Sequence, residues 1–311
     1  MKKIFIFGGG TGLSNLLSAL KETNYDIKVA VTTSDNGGST GKIRDYYGMP
    51  ALGDLRKVLN ATIADQTLHN LVEYRFDEKI ENHTIGNLIL AALINMDNNI
   101  SEAVSKYSRI FNIPFSVYPV TNQPVHLHAK MECENVIIGE TQIVQHPQKI
   151  KEIFYNLKVH ANQDVIQGIA EADYIIFSSG SLYTSLISNL IINDIKKALK
   201  KSKAHKIYIS NIMTQKGETD NYQVSDHIKA IEKHTYKNII DIVIANNYKN
   251  ISTSLKQKYQ SEGSELVNLD PENLKNTQVI QQKLIKENSF IRHDIMQVKE
   301  ILEKIIEGNN E

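Results

Sequence analysis

The stretch KKIFIFGGGTGLSNLLSAL, residues 2–20, joins a short apolar run to a cluster of glycines and then to an amphipathic pattern. The run Ile4–Phe7 is rich in β-branched and aromatic residues, which is typical of a buried strand in a parallel sheet. From Leu13 onward, apolar residues recur at the spacing of a helix. The stretch therefore predicts a strand, a glycine-rich turn and a helix, in that order.

The turn holds four glycines within five residues: Gly8, Gly9, Gly10 and Gly12, with Thr11 between the last two. Without Cβ atoms, its backbone N–H groups can approach a ligand closely. The helix that follows offers unpaired amides and the positive end of its dipole, which together favour phosphate or another anion. The plainer alternative is a tight strand-to-helix turn that binds nothing.

Two familiar phosphate-binding fingerprints do not fit when they are applied strictly. G-x-G-x-x-G would need a third glycine where Leu13 or Asn15 stands. A P-loop at Gly41-Lys42 lacks the earlier glycine and the following Ser or Thr. The turn therefore predicts an anion without identifying it, and NAD-dependent oxidoreduction, which would rest on the sheet and the glycines alone, is weakened.

The composition argues against several classes of partner. Thirty-five basic and 35 acidic residues cancel, so net charge gives no reason to expect nucleic acid or an anionic membrane. The basic stretch 196–206 is best interpreted as a solvated helix face, with a docking patch as the alternative. Cys133 is alone, which fits a reducing compartment, and no apolar run is long enough to cross a bilayer. We expect a cytoplasmic protein without membrane insertion.

The order of patterns along the chain predicts one α/β domain over residues 1–311, with a Rossmann-like, doubly wound, mostly parallel sheet. Helical patterns between about residues 45 and 112 predict a helical layer inserted into the sheet order. The stretches 115–121, 126–132 and 135–143 change to a period of two and predict antiparallel or edge strands. Strands and helices alternate again from residue 173, and an amphipathic helix from His293 ends the fold.

Four loops that follow predicted strands are the richest in glycine and hydroxyl groups: 8–12, 34–41, 178–183 and 211–218. In a doubly wound sheet such loops open on one edge, where ligands bind. The sequence 180–185, GSLYTS, repeats the pattern of glycine, hydroxyl and helix start, and two helix N-termini facing one crevice would suit a diphosphate. Asp35 and Asn36 are placed for ribose hydroxyls or a base edge.

These considerations give a set of candidate site residues with two candidate catalytic acids, Asp35 and Asp54. For three positions a structural role is the alternative: a helix-start acid at Asp54, a local cap at Asn87 and turn chemistry over 35–38. The candidate nucleotide- or phosphate-binding residues are Gly8, Gly9, Gly10, Thr11, Gly12, Asp35, Asn36, Gly37, Gly38, Ser39, Lys42, Arg44, Asp54, Arg56, Asn87, Gly180, Ser181, Leu182, Tyr183, Thr184 and Asn211.

Other constellations carry less weight. His126 and His128 would share one face of a predicted strand, but a third ligand at sensible spacing is missing, so no zinc site is expected. Ser181 lacks the second glycine of a G-x-S-x-G elbow, which argues against a serine hydrolase. Asp220, Asp226 and His227 could supply an acid or a base, although Ser225-Asp226 equally resembles a helix start.

Seven motifs in combination resemble, in this order, those of the YvcK proteins, which share a superfamily with CofD, a 2-phospho-L-lactate transferase. The resemblance runs from Lys3 to about His293. The motifs are GGGTGL (8–13), SDNGGSTGKIR (34–44), GDLRKVL (53–59), TIGNLIL (84–90), GSLYTS (180–185), NIMTQKGET (211–219) and DH (226–227).

The resemblance implies a Rossmann-like cytoplasmic protein needed for normal cell shape on gluconeogenic carbon sources. It also implies binding of UDP-sugars such as UDP-N-acetylglucosamine, without a settled catalytic activity. For a transferase, the resemblance would place the acid that contacts a deazaflavin acceptor near Asp54. It would also place the family's Ser-Asp pair near Asp35. Mg²⁺ is expected only in that case.

The chain departs from the family pattern at two places. Asn36 stands where the family usually has a second aspartate, which removes one possible Mg²⁺ carboxylate, and Ser179 stands where it usually has proline. The leading hypothesis is a regulatory factor that binds a nucleotide sugar and is read by an unidentified protein partner. The alternative is an Mg²⁺-dependent transferase with a nucleoside diphosphate-linked donor. A homodimer is an expectation only.

Overall fold

A parallel sheet of seven strands forms the centre of the protein, which a computed structural model describes over residues 1–287 and 289–308. Smaller antiparallel sheets of three and two strands lie beside it. The strands of the described residues are β1 (Lys3–Gly8), β2 (Asp26–Val31), β3 (Ser116–Pro119), β4 (His128–Met131), β5 (Val136–Ile138), β6 (Ile150–Phe154), β7 (Tyr174–Phe177), β8 (His205–Ile209), β9 (Ile242–Asn246), β10 (Gln278–Gln282), β11 (Ile285–Glu287) and β12 (Ile291–His293).

The large sheet has the strand order β10-β9-β8-β7-β1-β2-β3, and every neighbouring pair is parallel. The chain moves outward from β1 in one direction through β2 and β3, and in the other through β7 to β10. The order therefore reverses between β1 and β7, and a sheet of this kind binds ligands at the carboxyl ends of the strands on either side of such a reversal.

Helices cover both faces of this sheet. A π-helical segment, Leu182–Ile187, leads into α9, and short 3₁₀ turns lie at Glu78–Ile80 and Pro271–Asn273. The α-helices of the described residues are α1 (Gly10–Leu20), α2 (Gly38–Tyr47), α3 (Gly53–Asn60), α4 (Gln66–Glu73), α5 (Ile85–Asp97), α6 (Ile100–Ile110), α7 (Glu140–Gln145), α8 (Gln163–Glu171), α9 (Ser188–Leu190), α10 (Asn193–Lys201), α11 (Val224–His234), α12 (Thr253–Ser261) and α13 (Ile295–Glu307).

Strand β1 separates the two halves of the core because its side chains alternate between the faces of the sheet. Ile4 and Ile6 pack with α1, the helices α3 to α6 and α13 on one face. Phe5 and Phe7 pack with α8, α10 and α11 on the other. None of the helices within the described ranges is long and apolar enough to cross a membrane.

The predicted α/β class and the doubly wound parallel sheet are confirmed. The predicted helical layer is present as α2 to α6, but it starts earlier, at Gly38. The sequence suggested a loop there because glycine and hydroxyl residues disfavour helices locally. Burial of Ile43 and Arg44 in the fold outweighs that preference.

The stretch between residues 115 and 143 differs in part from its prediction. β3 is an edge strand of the large sheet, as one alternative held, and its pairing with β2 is parallel. The stretch 135–143 is a strand only as far as Ile138, because Gly139 adopts φ +94° and α7 begins at Glu140. Glycine can adopt a positive φ without steric cost, so the strand can end at this residue. The alternating sequence pattern continues through Gly139 and therefore did not predict the turn.

Helix α8 approaches β1 so closely that Gly168 has no room for a side chain. A Cβ at this position would lie 2.3 Å from Cε2 of the Phe5 ring. That ring is fully buried and packs edge-on against Phe7 at 5.0 Å between ring centroids, so it cannot move aside freely. This close packing of α8 against β1 holds the strand, and with it the glycine turn that follows, in place.

We predict that Gly168→Ala lowers the free energy of unfolding by about 1–2 kcal/mol, although alanine is the better helix former, because overpacking against Phe5 outweighs propensity. Urea denaturation measures this change. Gln167→Ala, on the exposed side of the same helix, is the control and should change the free energy of unfolding by less than about 0.5 kcal/mol. A Gly168→Ala protein as stable as the wild type would contradict the close packing.

Candidate functional site

A cleft of about 350 Å³ opens at the carboxyl ends of β1 and β7, where the strand order reverses. The turn after β1 forms one wall, and the loop after β7 forms the wall beside it. The cleft is lined by Gly9, Gly10, Thr11, Gly12, Asn15, Asp54, Lys57, Glu140, Ser179, Gly180, Ser181, Ser185, Asn211, Ile212, Met213, Gln215, Ile291, Arg292, His293 and Ile295.

The two glycine loops touch each other through backbone atoms. A Cβ on Gly12 would lie 2.0 Å from the carbonyl oxygen of Ser179, and Gly10 has φ +58°, a conformation that favours glycine. Asn211, from the loop after β8, holds Gly180 by accepting from its N–H at 3.3 Å and donating to its carbonyl at 2.7 Å. Loops from three parallel strands thus form one rigid rim.

The N-terminus of α1 faces this cleft without a side-chain cap. Gly9 occupies the N-cap position, and it has no side chain that could accept from the first-turn amides. Gly10, Thr11 and Gly12 line the cleft with that first turn. Amides and a positive dipole end are therefore directed at whatever occupies the cleft, which favours an anion.

The helical segment after Ser181 is arranged differently. The carboxyl of Glu218 is buried against its first turn, where the backbone amides of Leu182, Tyr183 and Thr184 face it. Burial raises the pKa of Glu218, while the Thr184 hydroxyl and these amides lower it. An internal carboxyl therefore lies beside the second helix start, which the sequence analysis assigned to part of a diphosphate.

Two acidic side chains in the cleft wall have raised pKa values. Burial raises the pKa of Asp54 to about 6. The positive charge of Lys57, whose Nζ lies 3.8 Å from Asp54 Oδ1, acts in the opposite direction and lowers it. Burial, followed by repulsion from Asp35 and Asp54, raises the pKa of Glu140 to about 8. At neutral pH Asp54 is ionised, whereas most of the Glu140 carboxyl carries a proton and can donate a hydrogen bond.

Two cationic side chains, Arg292 and Lys57, also line the cleft. Arg292 is exposed on the hairpin β11–β12, and Lys57 projects from α3. Burial lowers the pKa of the neighbouring His293 to about 4, so its ring is neutral and Nε2–H donates to the Ser210 carbonyl at 3.0 Å. The two cations and the α1 dipole outweigh the charge of Asp54, which leaves the cleft suited to an anionic ligand.

The structure brings together one part of the predicted site. Residues from three of the four predicted loops line the same cleft, with Asp54 from the start of α3 between them. The predicted residues found there are Gly9, Gly10, Thr11, Gly12, Asp54, Gly180, Ser181 and Asn211. Gly8 lies just behind them at the end of β1, where a Cβ would lie 2.0 Å from the Ser178 hydroxyl oxygen.

The predicted residues that follow β2 do not line this cleft. Asp35 Oδ1 accepts from Gly37 N at 2.7 Å, which closes a turn. The Asn36 side chain donates to Gln142 Oε1 at 2.9 Å and accepts from Thr141 N at 3.0 Å, so it holds α7. The residues at the start of α2 and within it also have structural contacts. Gly37 and Gly38 start the helix, and the Lys42 side chain forms an ion pair with Glu81 at 3.3 Å. The Arg44 guanidinium donates hydrogen bonds to the carbonyls of Ser34 and Asp35 at 3.2 Å.

The remaining predicted residues also have internal partners. Arg56 Nη1 donates to Glu73 at 2.5 Å, and Asn87 Nδ2 donates to the Ser39 hydroxyl at 3.0 Å. Leu182, Tyr183 and Thr184 are buried, and the Tyr183 hydroxyl is 2.8 Å from that of Tyr222. These residues make internal contacts in the described structure, and the motifs in the sequence could not distinguish such contacts from a ligand site.

Several lining residues are missing from the sequence-based set. Glu140 was placed in a predicted strand, and Arg292 and His293 lie on a hairpin with strands of three residues, too short to show a period. Lys57 follows Asp54 by three residues on α3, so the two side chains share one face of the helix. This spacing was the one signal in the sequence that could have placed Lys57 in the site. The full list of missed polar residues is Asn15, Lys57, Glu140, Ser179, Ser185, Gln215, Arg292 and His293.

The two histidines considered for zinc lie beside each other, with His128 Nδ1 3.0 Å from the carbonyl of His126. Over residues 1–287 and 289–308, no three His, Cys, Asp or Glu side chains converge as metal ligands would. Asp226 is the N3 residue of α11, where its carboxyl accepts from Gln223 N at 3.0 Å in a capping box. The structure thus gives Asp226 the helix-start role that was one of its two alternatives.

We predict that Asp54→Asn stabilises the protein at pH 8 by about 1–3 kcal/mol, because the raised pKa is a cost of burying charge. The folded protein retains a proton that the unfolded chain releases between pH 4 and about 6, so the contribution of Asp54 to the free energy of unfolding falls as pH rises through that range. At pH 4 the variant should match the wild type. Urea unfolding at both pH values measures this, and a less stable variant at pH 8 would contradict the burial cost.

Comparison with known proteins gives a consistent assignment. The family model for 2-phospho-L-lactate transferase CofD matches residues 4–285. A putative gluconeogenesis factor of Thermotoga maritima is 40% identical over 312 residues, which cover 97% of this chain and 99% of the relative. The gluconeogenesis factor of Bacillus subtilis is 39% identical over 96% of both chains. A crystal structure of a UPF0052 family protein from Bacillus halodurans has a TM-score of 0.94 at 36% identity and covers 97% of this chain and 99% of its own.

The family model covers the strands of the large sheet and the helical layer, and the two relatives and the solved structure cover at least 96% of this chain. The chain therefore belongs to the CofD family, among relatives that are named gluconeogenesis factors.

Proposed function

We propose that this protein binds a nucleotide sugar of the UDP-sugar type in the cleft between β1 and β7, as a cytoplasmic regulatory factor for carbon use and cell shape. The observation that carries the proposal is the uncapped N-terminus of α1, which faces a cleft that also holds Arg292 and Lys57. A diphosphate has the charge and the acceptor oxygens that such a site favours. The cleft volume of about 350 Å³ lies within the range of small-molecule sites.

The polar side chains around the diphosphate position suit a sugar. Hydroxyl groups both donate and accept hydrogen bonds, so they need partners of both kinds. Asp54 accepts, the protonated Glu140 donates, and the amide of Gln215, on the loop after β8, lines the same cleft. Because Gln215 Nε2 donates to the Ser181 hydroxyl at 3.0 Å, its orientation is fixed before a ligand arrives.

Transfer chemistry with Mg²⁺ is the second candidate, favoured by the name of the family model and by the position of Asp54 in the cleft. The donor set for Mg²⁺ is poor in this chain. Asp35 is engaged with Gly37 N, and the amide of Asn36 is engaged with α7. Because Asn36 replaces one acidic ligand and both polar atoms of its side chain are engaged, the set of carboxylates for Mg²⁺ is reduced, and regulation by ligand binding is the better supported function.

We predict that the protein binds UDP-N-acetylglucosamine equally well with Mg²⁺ and with a chelator, and that Arg292→Gln weakens binding about 10- to 100-fold, because a charge-assisted hydrogen bond is lost. Isothermal titration calorimetry measures both. Arg292 is exposed, so its replacement should leave the fold intact.

Lys256→Gln is the matched control for the Arg292 variant, because it removes an exposed cation on α12, outside the cleft. Its affinity should equal that of the wild type. Binding that requires Mg²⁺ and is followed by turnover of a nucleotide-linked donor would instead support the transferase.

We also predict that affinity for UDP-N-acetylglucosamine falls as pH rises from 7 to 9. The pKa of Glu140 is about 8, so over this range its carboxyl loses the proton that it donates and becomes a negative charge beside the phosphates. Glu140→Gln keeps a donor at the same position and should bind with nearly constant affinity over the range. Titrations at several pH values measure this difference, and parallel pH profiles for the two proteins would contradict the role given to Glu140.

A further inference from the structure

A groove of about 750 Å³ lies between helices α8 and α10, and it shares no lining residue with the cleft. Its apolar lining consists of Ile166 and Ala170 from α8, Ala172 just after that helix, and Ala198 from α10. Three of these four side chains are single methyl groups, which leave space between the two helices. The groove is therefore a separate concave surface with room for apolar side chains of another molecule.

Three lysines line the same groove: Lys197 and Lys201 from α10, and Lys203 from the loop that follows. Lys197, Ala198 and Lys201 recur at helical spacing, so they share one side of α10. The three lysines are exposed, and none of their ammonium groups forms an ion pair with a carboxylate of the described residues. The groove therefore carries positive charge that these residues do not neutralise.

The acid that lines the groove, Asp194, lies at the opposite end of α10. Its Oδ2 accepts from Ala161 N at 3.4 Å and lies 3.5 Å from Nδ1 of His160, so it already has partners. Lys201 follows Asp194 by seven residues, which is about 10 Å along the helix. The positive charge is therefore concentrated at the C-terminal end of α10, away from this acid.

Other lysines of the basic stretch 196–206 have different surroundings. Lys206 Nζ donates to the carbonyls of Ser202 and Ala204 at 3.3 and 2.9 Å, so it holds the chain after α10. Lys200 is exposed outside the groove in the last turn of α10, where a cation complements the helix dipole. The sequence analysis kept a docking patch as the alternative to a solvated face, and the groove favours that alternative for the three lysines that line it.

We propose that the groove between α8 and α10 binds an acidic amphipathic helix of a partner protein. The apolar lining is complementary to apolar side chains on one face of such a helix. The three lysines are complementary to carboxylates beside that face, and this charge selects the partner. A helix presents both kinds of side chain at three- and four-residue spacing, which matches the spacing of Lys197, Ala198 and Lys201 on α10.

Two other anionic partners fit the groove less well. Its described lining contains no Phe, Tyr or Trp, the side chains on which the bases of a single-stranded nucleic acid stack. A flat lipid surface would meet the exposed lysines without filling the space between the two helices. An acidic helix uses both the lysines and that space.

Fluorescence anisotropy of a labelled synthetic peptide with the full chain tests the proposal. The probe is a helical peptide of about 15 residues with leucines on one face and glutamates at the other positions. We expect saturable binding at a salt concentration of about 0.15 M. A peptide in which glutamine replaces the leucines keeps the charge and should bind at least about tenfold more weakly, because the apolar contacts are lost.

The double variant Lys197→Glu/Lys201→Glu should bind the acidic peptide at least about tenfold more weakly, because attraction becomes repulsion at two positions. Both positions are exposed, so the circular dichroism spectrum should not change. A peptide with lysine in place of glutamate should bind this variant more tightly than it binds the wild type, which separates a lost contact from a lost fold. Lys200→Glu/Lys256→Glu makes the same change in net charge outside the groove and should bind the acidic peptide as the wild type does.

The proposal would be overturned by a wild type without saturable binding of the acidic peptide, or by equal losses of affinity in the two double variants. A glutamine peptide that binds as tightly as the leucine peptide, or a lysine peptide that does not prefer Lys197→Glu/Lys201→Glu, would also overturn it. Phosphatidylglycerol vesicles or a single-stranded oligonucleotide that displace the peptide from the wild type, and that do not bind this variant, would assign the groove to another class of partner.

Discussion

The backbone contact between Gly12 and the Ser179 carbonyl is the constraint on which the cleft depends. It joins the first turn of α1 to the loop after β7 across the point where the strand order reverses, and it leaves no space for a side chain at position 12. Strand β1 beneath it packs tightly on α8 through the contact of Phe5 with Gly168. A ligand therefore meets amides whose position is set by the sheet, and little ordering is required when it binds.

The two helix starts at this rim have the same kind of sequence and opposite environments. The first, after Gly9, has no side-chain cap hydrogen bond and faces the cleft with the Asp54 carboxyl beside Gly9, whereas the second lies against the buried carboxyl of Glu218. An acidic side chain at a helix start compensates the dipole as a phosphate would. This difference concentrates the preference for an anion at α1, with the acids Asp54 and Glu140 in the wall of the same cleft.

The sequence was sufficient for the features that depend on neighbouring residues. The strand, glycine turn and helix over residues 3–20 follow from local pattern, and the parallel sheet follows from the alternation of such units. It was insufficient where a side chain reaches the cleft from a distant segment, as with Glu140 behind the turn at Gly139 and Arg292 on a hairpin of three-residue strands. It also could not distinguish the amides at 182–184 from those at 10–12, because the distinction is made by Glu218, more than 30 residues further along the chain.

A crystal structure of the protein with UDP-N-acetylglucosamine tests most directly the claim that the α1 N-terminus is the diphosphate site. The geometry predicts phosphate oxygens within hydrogen-bonding distance of the amides of Gly10 to Gly12, with the Arg292 guanidinium on the opposite side of the phosphates. A diphosphate bound elsewhere, for example against the amides of Leu182 to Thr184 with Glu218 displaced, would contradict it.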